Sequence, residues 1–152
     1  MTAPAFRGYW AFLSNFYAVR VYYNNRWYQT AEHAYQAAKM TSKEDHDYVA
    51  RAMTPGAAKR AVLELLGHRS VIRKDWDEIR DSVMLSILRA KFSDPGLTTR
   101  LLETEEQELV EHNYWGDTYW GICNGVGQNK LGKLLMQVRQ EIHDSQTKEE
   151  QK

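Results

Sequence analysis

Three polar side chains, an acid, an amide and an amine, recur on one face of a segment near the N-terminus. The segment Thr30–Met40 reads TAEHAYQAAKM, and Glu32, Gln36 and Lys39 fall at positions i, i+4 and i+7 within it. Because that spacing returns to one side of an α-helix, an acid, an amide and an amine are presented together. The same spacing is also typical of a solvated face carrying an ordinary Glu/Lys pair. Spacing alone leaves both interpretations open.

A second segment, Tyr114–Gly132, is rich in glycine and aromatic residues. It reads YWGDTYWGICNGVGQNKLG and runs directly into a stretch with a helical apolar face. Glycine lets backbone approach a ligand, and the free N–H groups of a helix N-terminus suit phosphate. Gly125–Lys130 does not fit the P-loop pattern, and no strand–helix–strand unit surrounds it as a dinucleotide fingerprint requires. A long surface loop and a ligand site both fit this segment.

The apolar segment Phe12–Tyr17, FLSNFY, contains two polar residues, Ser14 and Asn15. Buried polar side chains need hydrogen-bond partners. The segment therefore fits either a turn inside the hydrophobic start of the domain or part of a polar site.

Composition and charge exclude several function classes. Lys and Arg total 20, as do Asp and Glu, so the formal net charge is 0, whereas a nucleic-acid protein acting by bulk charge shows a basic excess. Cys123 is the only cysteine, which excludes an intrachain disulfide, and no Cys/His cluster has zinc spacing. The longest charge-free stretches have 12 residues, too short for a membrane span of about 18. We expect a cytoplasmic protein without metal, cofactor or membrane association.

The elements that must position these residues are mainly helical, and the length of 152 residues fits one domain. Two runs of β-formers flank Asn24-Asn25, which predicts a small hairpin over Val19–Tyr28. Capping residues and apolar spacing predict six helices. The first three run from Thr30 to about Met40, from Ser42 to about Ala52, and from Thr54-Pro55 to a stop at Gly67. The other three span 75 to 91, begin at Asp94-Pro95, and follow the apolar face Leu131–Ile142. The sequence thus predicts a mainly α domain, α+β by virtue of its hairpin, over residues 1–143. A polar tail, residues 144–152, is expected to fray.

Taken in order, these segments resemble the YbiA-like, or NADAR, superfamily, and the resemblance covers about residues 6 to 142. The motifs that carry it are Phe12-Leu-Ser-Asn-Phe-Tyr17, Glu32-His-Ala-Tyr-Gln-Ala-Ala-Lys39, Asp75-Trp76 with Val83-Met84 and Lys91-Phe92, Tyr114-Trp-Gly-Asp117, and Asn129-Lys-Leu-Gly-Lys-Leu-Leu-Met136. Two features depart from the family pattern: Ala31 before Glu32, and the bulky aromatic segment Thr118–Cys123. We expect the latter to shape the pocket.

The resemblance implies a compact, mainly α fold and a hydrolase of the N-glycosidic bond between ribose and a nitrogenous base or amine. Members of the family include N-glycosidases of early riboflavin-biosynthesis intermediates and enzymes that remove ADP-ribose from modified guanine. The expected partner is therefore a small nucleotide-like molecule or an ADP-ribosylated guanine in nucleic acid, bound by a monomer or weak homodimer. A non-catalytic ADP-ribose or nucleotide-binding module on the same fold is the alternative.

The residues of these motifs can be given roles in such a reaction. Glu32 or Asp117 would stabilise positive charge on the sugar or activate water, as carboxylates do in glycoside hydrolysis generally. Alternatively, Lys39 would attack C1′ and open the ribose as a Schiff base, which requires a desolvated amine. The expected substrate-binding residues are Asn15, Gln36 and Asn129 for ribose hydroxyls or phosphate, Trp76, Trp115 and Trp120 for stacking on the base, and Lys130 and Gly132 for a phosphate at the start of the last helix.

Overall fold

A computed structural model describes residues 5–151 of the chain. These residues are mainly helical, which confirms the predicted fold class, and they carry two small strand pairs. The chain divides into two compact units: residues 15–91 form one, and the segment up to Ser14 together with the segment from Phe92 onward forms the other. Within residues 5–151 no helix is both long and apolar enough to cross a membrane.

The unit of residues 15–91 begins with the predicted hairpin. Strand β1, Val21–Tyr23, pairs antiparallel with β2, Arg26–Tyr28. The connecting residues Asn24 and Asn25 both have a positive φ, 50° and 66°. Two successive left-handed residues match the twist of a two-residue hairpin loop, and asparagine tolerates this conformation better than most residues. The hairpin is thus confirmed, although β1 begins at Val21 rather than Val19.

Four helices follow in this unit: α1 Ala31–Ala38, α2 Lys43–Ala50, α3 Pro55–His68 and α4 Trp76–Lys91. The predicted caps open the first three. The hydroxyls of Thr30, Ser42 and Thr54 each accept a hydrogen bond from the backbone N–H three residues on, at 3.0–3.2 Å. Helix α1 packs against α2, α3 and α4, so three helices cover it from different sides.

The helix ends differ from those predicted. Helix α1 ends at Ala38 instead of Met40, and α2 ends at Ala50 instead of Ala52. The predicted stop of α3 at Gly67 is wrong, because the helix passes through this residue to His68. The N–H groups of Arg69 and Ser70 both bond to the Leu65 carbonyl and close the last turn. Since no left-handed residue is needed in that closure, glycine does not mark the end of the helix.

The other unit contains a short 3₁₀-helix, Gly8–Leu13, then α5 Pro95–Leu102 and α6 Lys130–Glu150. Asp94 caps α5 by accepting a hydrogen bond from Leu97 N at 3.0 Å, as its sequence predicted. Helix α5 packs on α6. Two-residue strands, β3 His112–Asn113 and β4 Ile122–Cys123, form a parallel pair that the sequence did not predict. The buried interior includes Phe12, Phe92, Leu101, Leu109, Leu131, Leu135 and Val138.

Helix α6 is longer than predicted. The prediction that the chain frays from Asp144 is wrong for the described residues, because the helix continues to Glu150. Gln140 Nε2 donates to Asp144 Oδ1 at 2.8 Å, and Thr147 Oγ1 donates to the His143 carbonyl at 3.0 Å. Such local contacts suffice because extending an existing helix costs far less than nucleating one.

Candidate active site

All eight residues of α1 are buried, including its polar ones. Glu32 is 9% exposed and Gln36 only 3%. The solvated-face interpretation of this helix is therefore wrong. A buried acid and amide must be matched by hydrogen bonds or by a ligand, because burying them without partners costs free energy. Glu32 and Gln36 are joined by the half-buried Lys39 directly after the helix, and these three residues are called here the acid–amide–amine row of the unit of residues 15–91.

The acid and the amide of this row bond directly to each other. Gln36 Nε2 donates to Glu32 Oε1 at 2.7 Å. An ionised carboxylate only accepts hydrogen bonds, so it fixes the NH₂ end of the amide toward Glu32. The Gln36 Oε1 atom is then turned elsewhere, and it is buried without a hydrogen-bond partner among residues 5–151.

Asn15 joins the row from the segment before the hairpin. Its backbone carbonyl accepts a hydrogen bond from Glu32 N at 3.0 Å, and its Nδ2 donates to the Met84 sulfur at 3.5 Å. The side chain is 8% exposed, and its Oδ1 has no hydrogen-bond partner within the described part of the chain. The structure therefore brings the predicted residues Asn15, Glu32 and Gln36 together.

Lys39 lies directly after α1, with its backbone N–H bonded to the Gln36 carbonyl at 3.2 Å. Its Nζ is 5.3 Å from the centroid of the Tyr35 ring. Burial lowers the pKa of Lys39 below that of an ordinary lysine, and the cations Lys59 and Arg80 lower it further. The Glu32 carboxylate acts in the opposite direction by favouring the ammonium form. The net effect favours the neutral amine that nucleophilic attack requires.

One face of α4 completes these surroundings. Trp76, Arg80 and Met84 recur every four residues and therefore share that face. The Trp76 ring lies 5.2 Å from that of Tyr35, centroid to centroid, and only 6% of Trp76 is exposed. The sequence reasoning missed Arg80, Met84 and Lys59 as neighbours of the row. The i+4 spacing from Trp76 was the signal that could have found Arg80 and Met84.

The remaining predicted residues belong to the other unit, and several have structural contacts there. Asp117 Oδ1 accepts hydrogen bonds from the backbone N–H groups of Tyr119 and Trp120, at 3.0 and 2.9 Å. The N–H of Asp117 in turn bonds to Asn113 Oδ1 at 3.0 Å. This carboxylate organises the turn that carries the aromatic residues. Trp115 is 57% exposed at the edge of the same turn.

The start of α6 is held closely against the chain before it. Asn129 accepts from Glu111 N at 3.0 Å and donates to the Leu109 carbonyl at 2.9 Å, so both ends of its amide are paired. A Cβ added to Gly132 would lie 2.0 Å from that same carbonyl. Only glycine fits at such an approach, which gives Gly132 a packing role.

The first two backbone N–H groups of α6 are also already paired. Lys130 N bonds to the Tyr119 carbonyl at 3.1 Å, and Leu131 N bonds to the Trp120 carbonyl at 3.0 Å. A phosphate here would have to rely on side chains, chiefly the exposed Lys133 and the Lys130 ammonium, which lies 5.7 Å from the Tyr119 ring centroid. The phosphate site at this helix stays a prediction. Among residues 5–151 no group of three or more His, Cys, Asp or Glu side chains is arranged to hold a metal ion.

Comparison with known families decides the affiliation, because the NADAR domain matches residues 6–143. The chain belongs to the NADAR family. Its NADAR domain is 36% identical to N-glycosidase YbiA of Shigella boydii over 132 residues, which cover 85% of this chain and 79% of that protein. It is also 36% identical to a riboflavin biosynthesis protein of Vibrio vulnificus, covering 88% of this chain and 36% of that protein.

A solved structure supports the same affiliation at the level of the fold. The NMR structure of the Escherichia coli protein YbiA matches with a TM-score of 0.83 at 30% sequence identity. The match covers 97% of this chain and 86% of the other. The resemblance inferred from the motifs is thus confirmed, and so is the fold expected for a NADAR protein.

Proposed function

We propose that the chain hydrolyses the N-glycosidic bond between a ribose and a nitrogenous base or amine, with the acid–amide–amine row of α1 as its catalytic centre. The enzyme class rests on the relatives, which are named N-glycosidases in Shigella and Nostoc. This chain is an N-glycosidase of the NADAR family. The observation that carries the choice of catalytic centre is the burial of Glu32, Gln36 and a desolvated Lys39 on one side of one helix.

Lys39 is the proposed nucleophile. Its neutral amine forms a bond to C1′ as the bond between C1′ and the base nitrogen breaks, and the base leaves with that electron pair and takes up a proton. The nitrogen bonded to C1′ then loses a proton, and the C1′–O4′ bond opens as O4′ takes up a proton, which gives a protonated Schiff base between Nζ and C1′. Water then adds to C1′ and releases the open sugar together with the free amine. Burial supports this role because it lowers the pKa of Lys39 and so favours the neutral amine that the attack requires.

Glu32 is the proposed acid–base partner. Its carboxylate lies within the same row and is oriented by the hydrogen bond from Gln36. In this position it can favour positive charge on the sugar and pass a proton to the leaving nitrogen or take one from water. If Lys39 served only as an electrostatic partner, Glu32 would activate water directly.

The substrate is expected to be a small nucleotide-like molecule. The Vibrio relative is named a riboflavin biosynthesis protein, which favours a ribosylated aminopyrimidine as the substrate of this chain. An ADP-ribosylated guanine is the second candidate. Trp115, Trp120, Asn129, Lys130, Gly132 and Asp117 stay predicted substrate or catalytic residues. We expect the enzyme to act in the cytoplasm as a monomer or weak homodimer.

The test is incubation with both substrate types. The protein is mixed with a ribosylaminopyrimidine 5′-phosphate or with ADP-ribosylated guanosine, and the released base is measured by mass spectrometry. Release from either confirms the hydrolase, and the faster substrate identifies the class. Binding of both without any release would instead make the chain a binding module and overturn the proposal.

A further inference from the structure

Two buried carbonyl oxygens next to Glu32 lack hydrogen-bond partners within residues 5–151. They are Asn15 Oδ1 and Gln36 Oε1, on side chains that are 8% and 3% exposed. Buried side-chain acceptors are nearly always bonded in folded proteins, and a substrate can supply the missing donor. These two oxygen atoms therefore indicate where the ligand presents hydrogen-bond donors.

The orientation of each amide follows from its neighbour. Gln36 turns its NH₂ group to the Glu32 carboxylate, which can only accept. Asn15 turns its NH₂ group to the Met84 sulfur, a weak acceptor that would repel a carbonyl oxygen. Exchanging O and N in either amide would place an acceptor against an acceptor. The Asn15 oxygen is thus held away from the Met84 sulfur, and the Gln36 oxygen is held away from the Glu32 carboxylate.

Both residues also bond to Glu32, Asn15 through its main-chain carbonyl and Gln36 through its side-chain amide. The Asn15 main-chain carbonyl binds Glu32 N at 3.0 Å, and the Gln36 side chain binds the Glu32 carboxylate at 2.7 Å. Two acceptors beside a carboxylate disfavour a phosphate group, whose oxygens are themselves negatively charged acceptors. They suit a neutral group with two adjacent donors, and the vicinal hydroxyls of ribose are such a group.

The geometry points to Asn15 Oδ1 and Gln36 Oε1 as the acceptors for the 2′- and 3′-hydroxyl groups of the substrate, which makes the enzyme specific for ribosides over deoxyribosides. This inference rests on the proposed function, because it places the ribose at the acid–amide–amine row. A site built to bond a hydroxyl rejects an analogue without it, since its buried acceptor stays unpaired. We expect at least about a 10²-fold loss of kcat/KM for each deoxy analogue.

The experiment compares one riboside with its 2′-deoxy and 3′-deoxy analogues. Each ribosylaminopyrimidine 5′-phosphate is assayed with the wild type and with Gln36→Met and Asn15→Leu, which remove one acceptor each. Gln137→Met is the matched control, because Gln137 donates to Glu141 at 3.2 Å in the same Gln/Glu arrangement but on an exposed helix face. Intrinsic reactivity differs between ribosides and deoxyribosides, but it is the same for every variant and cancels in the comparison.

We expect the wild type and Gln137→Met to prefer the riboside strongly. Gln36→Met and Asn15→Leu should each lose the preference for one of the two hydroxyls, so that the ratio of riboside to deoxyriboside activity falls toward that of intrinsic reactivity. A wild-type ratio of riboside to deoxyriboside activity equal to the ratio of their intrinsic reactivities would overturn the inference while leaving the proposed function intact. Because this comparison uses only the wild type, it tests the inference even if a variant does not fold.

A binding measurement separates failure of the inference from failure of the proposed function. If the wild type releases no base from any riboside, the proposed function fails. Thermal stabilisation by D-ribose 5-phosphate can then be compared with that by 2-deoxy-D-ribose 5-phosphate. Stronger stabilisation by the ribose form, lost in Gln36→Met or Asn15→Leu, supports the acceptor pair. Equal stabilisation, or none from either sugar, rejects it.

Discussion

The Glu32 carboxylate opposes burial in setting the pKa of Lys39. Glu32 lies in the first turn of α1 and Lys39 directly after its last residue, where burial favours the neutral amine and the carboxylate favours the ammonium. Lys59 from α3 and Arg80 from α4 act in the same direction as burial. The pKa of Lys39 is therefore set by burial together with charges from three helices, and substitution of those charged residues should change it.

The first prediction concerns a covalent intermediate on Lys39. Borohydride added during turnover should reduce the Schiff base and leave a stable sugar adduct, seen as a mass increase in the tryptic peptide that contains Lys39. The exposed Lys133 provides an internal control, since its peptide should gain no mass. Absence of an adduct, together with a Lys39→Arg variant that keeps most of its rate, would leave Lys39 as an electrostatic partner of Glu32.

The second prediction concerns the pH dependence of turnover. Replacing Lys59 or Arg80 by methionine removes a cation that lowers the pKa of Lys39, so that pKa rises. The amine is then neutral only at higher pH, and the acid limb of the kcat/KM profile should move to higher pH. Lys59 is exposed, so its variant should fold normally.

Arg60→Met, an exposed neighbour on α3, is the control for this measurement and should leave the profile in place. A shift of the limb to lower pH in Lys59→Met, or no shift in either variant, would mean that Lys39 does not set this limb.

The third prediction separates the catalytic from the structural role of Glu32. Glu32→Ala should lose about 10²-fold or more in kcat, as expected for a catalytic acid or base. Thermal melting should change by only a few degrees. Glu44→Ala on the exposed side of α2 serves as the control and should retain full activity. Wild-type turnover in Glu32→Ala would remove this residue from the mechanism.

The fourth prediction concerns acid stability and His33. This residue is fully buried; its Nε2–H donates to the Ala52 carbonyl at 3.0 Å, and its Nδ1 lies 2.8 Å from Thr30 Oγ1. Burial lowers the pKa of His33 below its ordinary value of 6.5. The unfolded chain therefore binds more protons than the folded one below that pH, and stability falls as pH drops from 6.5 through the lowered pKa.

Urea unfolding at about pH 7.5 and about pH 5 measures this loss of stability. It should be smaller in His33→Gln than in the wild type. His143→Gln, which changes an exposed histidine, should match the wild type at both pH values. An equal loss of stability in all three proteins would assign the acid sensitivity to other groups.

Local signals in the sequence predicted where the helices begin. Four capping side chains each accept a hydrogen bond from the backbone N–H three residues on: those of Thr30, Ser42, Thr54 and Asp94. This interaction needs no residue outside the first turn of the helix. Helix ends were less predictable, as Gly67 shows, because their closure depends on where the following chain goes. The two-residue parallel strands are too short to leave any periodic pattern.

The candidate site was also predictable only in part, because its surroundings depend on segments that are distant in sequence. Spacing correctly placed Glu32 and Gln36 on one side of α1, with Lys39 directly after its last residue, but spacing does not tell whether that side faces water or another helix. The answer depends on α4, which is far away in sequence and covers the row with Trp76 and Arg80. For Asn129 the sequence predicted a substrate contact, whereas in the structure its side-chain amide bonds to the backbone of Glu111 and Leu109.

The unpaired carbonyls of Asn15 and Gln36 have a consequence for the balance between stability and activity. A buried acceptor without a donor costs about 1–3 kcal/mol, a sizeable part of the 5–15 kcal/mol by which a domain is typically stable. The unliganded fold bears this cost, and substrate relieves it on binding. Selection of random variants for heat resistance alone would therefore favour apolar residues at these two positions. Such variants would gain folding stability and lose catalytic activity.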